Sequence, residues 1–88
     1  MTANVWERVL AHLRERLNSE DFRRWFGETW YASDSGDQVT VWLPTEAIRR
    51  YIETHYERLI DEALVAIDRG DTQVRFVVTG VEEEDRDY

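Results

Sequence analysis

The spacing of apolar residues changes several times along this chain, and the order of the changes limits the folds that it can adopt. Apolar residues recur every three or four positions within residues 4–17 and 19–26, which predicts two short helices. They alternate with polar residues within 28–43, return to helical spacing within 46–67 and alternate again within 74–78. This order predicts a compact α+β domain, ααββαβ, with a three-stranded sheet packed on its helices.

Turn and capping residues support these boundaries. Asn4, Ser19 and Thr45 are the predicted N-caps of the three helices, because their side-chain oxygens can accept hydrogen bonds from the first backbone amides. Residues 34–37 form the cluster Asp-Ser-Gly-Asp between the two predicted strands, which is typical of a hairpin turn. We expect one domain over residues 1–80.

The predicted helices place two of the four tryptophans on apolar faces. Trp6 lies near the middle of the apolar arc of the first helix, close to Leu10. That arc is wider than the stripe a small core requires, which leaves room for a second contact. Trp25 shares the apolar face of the second helix with Phe22 and Phe26.

The charge of the chain argues against several functions. Nineteen acidic residues oppose eleven basic ones, all arginine, for a net charge of −8. Phosphate backbones repel such a surface, so we expect little or no direct nucleic-acid binding. The absence of lysine excludes a Walker A loop and a Schiff-base nucleophile, and the absence of cysteine excludes disulfides and thiolate metal sites.

The remaining polar residues form no catalytic or metal-binding motif. His12 borders the apolar arc of the first helix, and His55 lies within the apolar face of the long helix. Glu53, Glu57 and Asp61 lie on the opposite side of that helix, so their spacing suits a solvated face better than a zinc site. We therefore predict a protein that is not an enzyme and that binds no cofactor or metal.

The sequence predicts neither a membrane span nor a secretion signal. No apolar run reaches the roughly 18 residues that a membrane span needs, and no basic segment precedes an apolar one at the start. A cytoplasmic protein is expected. Residues 81–88 hold five acidic residues and one arginine, so we expect a disordered tail or the start of a linker there.

Four motifs, in this order, resemble the N-terminal domain of the bacterial replication initiator DnaA. They are V-W-x-x-V-L-x-x-L from Val5, S-x-D-F-x-x-W-F from Ser19, V-x-V-x-L-P from Val39 and I-x-x-Y-I-x-x-x-Y from Ile48. The resemblance spans about residues 5–79 and implies a fold related to type II KH domains. It also implies a non-catalytic interaction domain that mediates self-association of the initiator and recruits the replicative helicase and regulators at the origin.

The resemblance assigns roles to residues of the two N-terminal helices. Trp6, with Leu10 beside it, matches a self-association position, and core packing is the alternative role for Trp6. Trp25 matches a buried tryptophan of the family, so the resemblance predicts that it is buried. Asp21, with Glu20 beside it, matches an acidic position that contacts the helicase and regulators. Favourable interaction with the helix dipole is a second role for Asp21, and both roles can hold together.

One partner-binding stretch departs from the family pattern. Thr45 and Ala47 stand where many relatives have the asparagine and the phenylalanine of P-N-x-F. The helical wheel turns Ala47 away from the core, so the family phenylalanine would be an exposed contact. Its loss removes an aromatic anchor. A partner contact at Thr45 and Ala47 is therefore either lost or made with different chemistry.

Two other functions remain open. A KH-like module could bind single-stranded nucleic acid weakly through Arg23 and Arg24, although no G-x-x-G loop is present. The 88 residues could also be a free-standing mimic of the initiator domain that competes for its partners. Steep salt dependence of DNA binding would support the first, and a separate full-length initiator in the same cell would support the second.

Overall fold

The observed order of elements follows the predicted one, with one division of a helix. The structure, a computed structural model, describes residues 3–79, so the expectation for residues 81–88 lies outside it. The elements are α1 (Val5–Arg16), α2 (Ser19–Phe26), β1 (Trp30–Asp34), β2 (Gln38–Leu43), α3 (Glu46–His55), α4 (Glu57–Ala66) and β3 (Gln73–Val78). The predicted α+β architecture is confirmed.

The prediction of one uninterrupted long helix was wrong, because the chain bends at Tyr56. Tyr56 has φ −122° and ψ 5°, outside the helical range, and separates α3 from α4. Its amide still donates to the Ile52 carbonyl at 2.8 Å, and its carbonyl accepts from the Ile60 amide at 3.0 Å. The apolar spacing therefore continues through the bend, which explains why the sequence pattern did not reveal it.

The helix caps agree with prediction at two of the three starts. Asn4 and Thr45 accept hydrogen bonds from backbone amides of the first turns of α1 and α3. The cap of α2 is Asn18 and not Ser19, which is already the first helical residue. Asn18 Oδ1 accepts from the Asp21 amide at 2.8 Å, and Asn18 Nδ2 donates to Asp21 Oδ2 at 3.1 Å. These two contacts secure the start of α2 and hold the Asp21 carboxylate in place.

The sheet has the order β1-β2-β3, with β2 in the centre. The strands β1 and β2 form the predicted antiparallel hairpin, in which Trp30 lies opposite Trp42. Gly36 takes φ +100° in the turn, a conformation that favours glycine. The strand β3 runs parallel to β2, with Phe76 beside Val41, and α3 and α4 form the crossover between them.

The core lies between the helices and one face of the sheet. Alternate residues of β2 face inward, because Val39, Val41 and Leu43 are buried while Trp42 is exposed. The four helices of residues 3–79 all contribute to the same cluster, whose buried apolar residues are Val5, Trp6, Val9, Leu13, Phe22, Phe26, Val39, Val41, Leu43, Ile52, Ile60, Ala63 and Leu64. The opposite face of the sheet is left uncovered by these helices.

An ion pair fastens the hairpin turn to the segment between α4 and β3. Arg69 donates to both carboxylate oxygens of Asp34, at 2.7 and 3.1 Å, and also to the Gly36 carbonyl at 3.2 Å. The hydrogen bond from Arg69 lowers the pKa of the Asp34 carboxyl, and the Gly36 amide lowers that pKa further. This contact joins the end of β1 to the segment that leads into β3.

Replacing Asp34 by asparagine should lower the free energy of unfolding by about 1 kcal/mol at pH 7. Because the pKa of Asp34 is lower in the folded state than in the unfolded state, the stabilisation is present above the ordinary aspartate pKa of about 3.9. It is lost as the pH falls through the folded-state pKa. Urea unfolding of both proteins at successively lower pH measures this, and a difference that does not shrink in acid would contradict it.

One histidine nitrogen of α1 lacks a partner. His12 Nε2 is buried and makes no hydrogen bond to any of the residues that the structure describes. Replacing His12 by leucine should raise the free energy of unfolding by about 1 kcal/mol, because it replaces an unsatisfied polar group with an apolar side chain of similar size. Urea unfolding followed by circular dichroism measures the change. A less stable variant would show that water or a partner satisfies this nitrogen.

Candidate interaction surfaces

Trp6 is a core residue in this fold. Its side chain is only 1% exposed, and its Nε1 donates a hydrogen bond to Thr29 Oγ1 at 3.0 Å. Its ring meets that of Phe76 edge-on, with centroids 5.8 Å apart. Of the two roles considered for Trp6, core packing is therefore the one that the structure supports, and the side chain cannot touch a partner in this conformation. Leu10 is half-buried at the border of the same core.

Glu20 and Asp21 lie at the exposed start of α2, beside the bend between α3 and α4. Glu20 is exposed and Asp21 is half-buried. Burial raises the pKa of the Tyr56 phenol, and the neighbouring Tyr51 and Asp21 raise that pKa further. The acidic start of α2 is thus close to the end of α3, and the two helices run in opposite directions.

An aromatic stack joins the last turn of α2 to the middle of α3. The rings of Trp25 and Tyr51 lie nearly parallel, at 11°, with their centroids 3.7 Å apart. The Tyr51 ring also contacts the imidazole of His55, with centroids 4.2 Å apart. The prediction that Trp25 is buried was wrong, because Trp25 is only half-buried. Phe22 and Phe26 enter the core, while Trp25 lies over α3 at the surface.

Thr45 and Ala47 lie at the other end of α3. Both are exposed, as the helical wheel predicted for Ala47. Roughly 15 Å of helix separate this end from Tyr56 and Asp21, so the predicted partner-binding residues do not form one cluster. They lie instead at the two ends of a continuous strip with the aromatic stack between them. We call this strip the α2–α3 surface and define it as Glu20, Asp21, Trp25, Thr45, Ala47 and Tyr51.

The acidic residues near Ala47 are partly neutralised by arginines. Arg49 pairs closely with Glu46 and lies 3.4 Å from Glu53. Arg50 lies 3.5 Å from Glu46. The hydrogen bond from Arg49 lowers the pKa of the Glu46 carboxyl. Within residues 3–79 no ion pair involves Glu20 or Asp21, so the unpaired negative charge of the α2–α3 surface lies at that end.

A second candidate surface was not recognised from the sequence. Trp30 and Trp42 are 56% and 46% exposed and lie directly opposite each other on the outer face of the hairpin. With Tyr31 and Thr79 they line an open apolar depression of about 360 Å³. The alternation in β2 was a usable signal, because a strand that buries Val41 must turn Trp42 to the other face. We call Trp30 and Trp42 the tryptophan patch.

A groove between the helix bend and β3 has an acidic rim. Its floor includes Ile52, Ile60 and Phe76, and the acidic residues of its rim are Glu53, Glu57 and Asp61, which were predicted to be solvated. The volume of the groove is about 430 Å³. Within residues 3–79, no three histidine, cysteine, aspartate or glutamate side chains converge as a metal ion would require.

The candidate sites of the described residues are thus open surfaces on a small α+β scaffold, which is how a protein-interaction domain is built. None of the helices within residues 3–79 is long and apolar enough to cross a membrane. The chain belongs to the DnaA N-terminal domain family, whose model matches residues 3–66.

A solved structure supports the same assignment of fold. The chain is similar to one in the crystal structure of a HobA–DnaA (domain I-II) complex from Helicobacter pylori, with a TM-score of 0.71. The two chains share 18% sequence identity, and the match covers 88% of this chain and 100% of the other. At this identity the likeness establishes the fold, while the family match establishes membership.

Proposed function

We propose that this chain is a non-catalytic docking domain of a bacterial replication initiator. In this role it mediates self-association of the initiator and recruits the replicative helicase and regulators. The match of residues 3–66 to the DnaA N-terminal domain family is the observation that carries the proposal. The Helicobacter pylori relative was crystallised as a complex with HobA, which supports a protein as the partner class.

The α2–α3 surface is the proposed docking site for the helicase and regulators. It combines an acidic end, formed by the exposed Glu20 and the half-buried Asp21, with the half-buried stack of Trp25 on Tyr51. Tryptophan and tyrosine side chains dominate the binding energy at the centre of many protein interfaces, and charged groups lie around them at the rim. The stack is held by α2 and α3 together, so its geometry is already set before a partner arrives.

The same stack can compensate for the missing family phenylalanine. Tyr51 lies four residues after Ala47, so both project from one side of α3. Trp25 lies flat on Tyr51 and adds a second ring at that position. An aromatic contact can therefore be made about one helical turn further along α3 than in relatives with a phenylalanine at the position of Ala47.

Asp21 is the proposed charged contact of this site. Replacing Asp21 by asparagine should weaken helicase binding by about 1–3 kcal/mol, because the substitution removes the charge and keeps the shape. Isothermal titration calorimetry with the cognate replicative helicase measures this. Asp61→Asn, at an exposed position on α4, is the matched control and should bind normally. Equal affinities for all three proteins would restrict Asp21 to a role at the helix start.

A further inference from the structure

The outer face of the sheet carries an unusual set of residues for a face that no helix or strand of residues 3–79 covers. The strand pairings place on it Trp30 opposite Trp42, Thr40 beside Arg75, and Trp42 beside Val77. Solvated sheet faces normally carry polar side chains. Two adjacent tryptophans, 56% and 46% exposed, instead leave a contiguous apolar area in water, and such areas mark interaction sites.

The outer face is also nearly free of charge. The chain as a whole has a net charge of −8, yet Arg75 is the one charged residue at the outer positions of the paired strands, which are Trp30, Ser33, Gln38, Thr40, Trp42, Gln73, Arg75 and Val77. Two copies of so acidic a chain repel each other least when these faces meet. Interface centres are similarly depleted in charge and enriched in aromatic residues and arginine.

Arg75 makes the outer face complementary to itself. It lies two positions from Val77 on β3, diagonally across from Trp42 on the same face. Among the described residues, the cation–π contact in the monomer is between Arg14 and Phe22, so Arg75 lies over no ring of its own chain. In a dimer with two-fold symmetry, each Arg75 can lie over a tryptophan of the other copy, so that the same cation–π contact forms twice.

We propose that the outer face, centred on the tryptophan patch and Arg75, is the surface through which two copies of this chain associate. The inference rests on the self-association in the proposed function. It places the contact on the sheet and not on α1, where the family resemblance places it. A half-exposed tryptophan offers on the order of 100 Å² of surface. A stable interface buries about 800 Å² on each partner. The pair is therefore a weak dimer that forms at high local concentration.

Sedimentation velocity over a concentration series tests this surface. The chain should shift from monomer to dimer between about 10 µM and about 1 mM, the range expected of a small interface. Trp42→Thr should raise the dissociation constant at least tenfold, and Arg75→Glu should raise it several-fold without affecting the fold. Val65→Thr changes an exposed valine of α4, 64% exposed, and is the matched control that should dimerise normally.

Each other outcome overturns the proposed surface in a distinguishable way. If Leu10→Ala abolishes the dimer and Trp42→Thr does not, self-association uses α1, and the proposed function stands without this interface. If the chain stays monomeric throughout the series, self-association by this domain fails, while helicase binding remains testable by calorimetry. If the indole signals of Trp30 and Trp42 respond to the helicase but not to dilution, the face binds a different partner.

Discussion

Replacing Trp6 by alanine is expected to lower the free energy of unfolding by about 3–5 kcal/mol, a large part of the total stability of a small domain. The indole is almost fully buried, so its removal leaves a cavity between α1, α2 and β3. The substitution also removes the hydrogen bond to Thr29, whose hydroxyl donates in turn to the Phe26 carbonyl at 2.8 Å.

Urea unfolding followed by circular dichroism measures this loss. Trp30→Thr is the matched control, because it removes an exposed tryptophan from a strand and should change stability by no more than about 1 kcal/mol. A Trp6→Ala protein that keeps its stability and loses only self-association would contradict the core assignment. It would show that Trp6 leaves the core to contact a second copy.

Replacing Trp25 by alanine is expected to weaken binding of the replicative helicase by about 2–4 kcal/mol, the range of an interface hot spot. The indole covers Tyr51 and fixes its orientation, so its removal both deletes a contact and frees the tyrosine. Calorimetry with the cognate helicase measures the effect. Trp25→Phe retains a ring over Tyr51 and should recover most of the affinity.

Two controls separate this effect from a change in fold. Trp25 is only half-buried, so Trp25→Ala should keep its far-ultraviolet circular dichroism spectrum at the temperature of the binding experiment. Trp42→Thr removes a tryptophan from the outer face and should bind the helicase with unchanged affinity. Helicase binding that survives Trp25→Ala but falls in Trp42→Thr would transfer the docking site from the α2–α3 surface to the sheet.

The fold was largely predictable from the sequence because its elements have clear periodicity and clear turns. The hairpin at residues 34–37 and the inward face of β2 follow from local chemistry and alternation. The bend at Tyr56 was not predictable, because Ile52 and Ile60 keep the same face on both sides of it. The cap of α2 was misplaced by one residue, since Asn18 and Ser19 are equally suitable caps by composition.

The candidate sites were less predictable, because exposure depends on which elements meet in three dimensions. Trp6 and Trp25 both lie on apolar helical faces, yet only Trp6 enters the core. The position of α3 decides this, and helical spacing carries no information about it. The exposure of Trp42 could have been inferred from the burial of its neighbours in β2, whereas its pairing with Trp30 required the register of the hairpin.

The most direct test of docking through the α2–α3 surface is an NMR titration of the isotope-labelled domain with its cognate replicative helicase. We expect the largest shifts at Glu20, Asp21 and the Trp25 indole, with smaller ones at Thr45 and Ala47. The indole signal of Trp42 should keep its chemical shift when the helicase is added at a fixed concentration of the domain. Shifts confined to the outer face, or no shifts at a saturating helicase concentration, would contradict the proposed docking site.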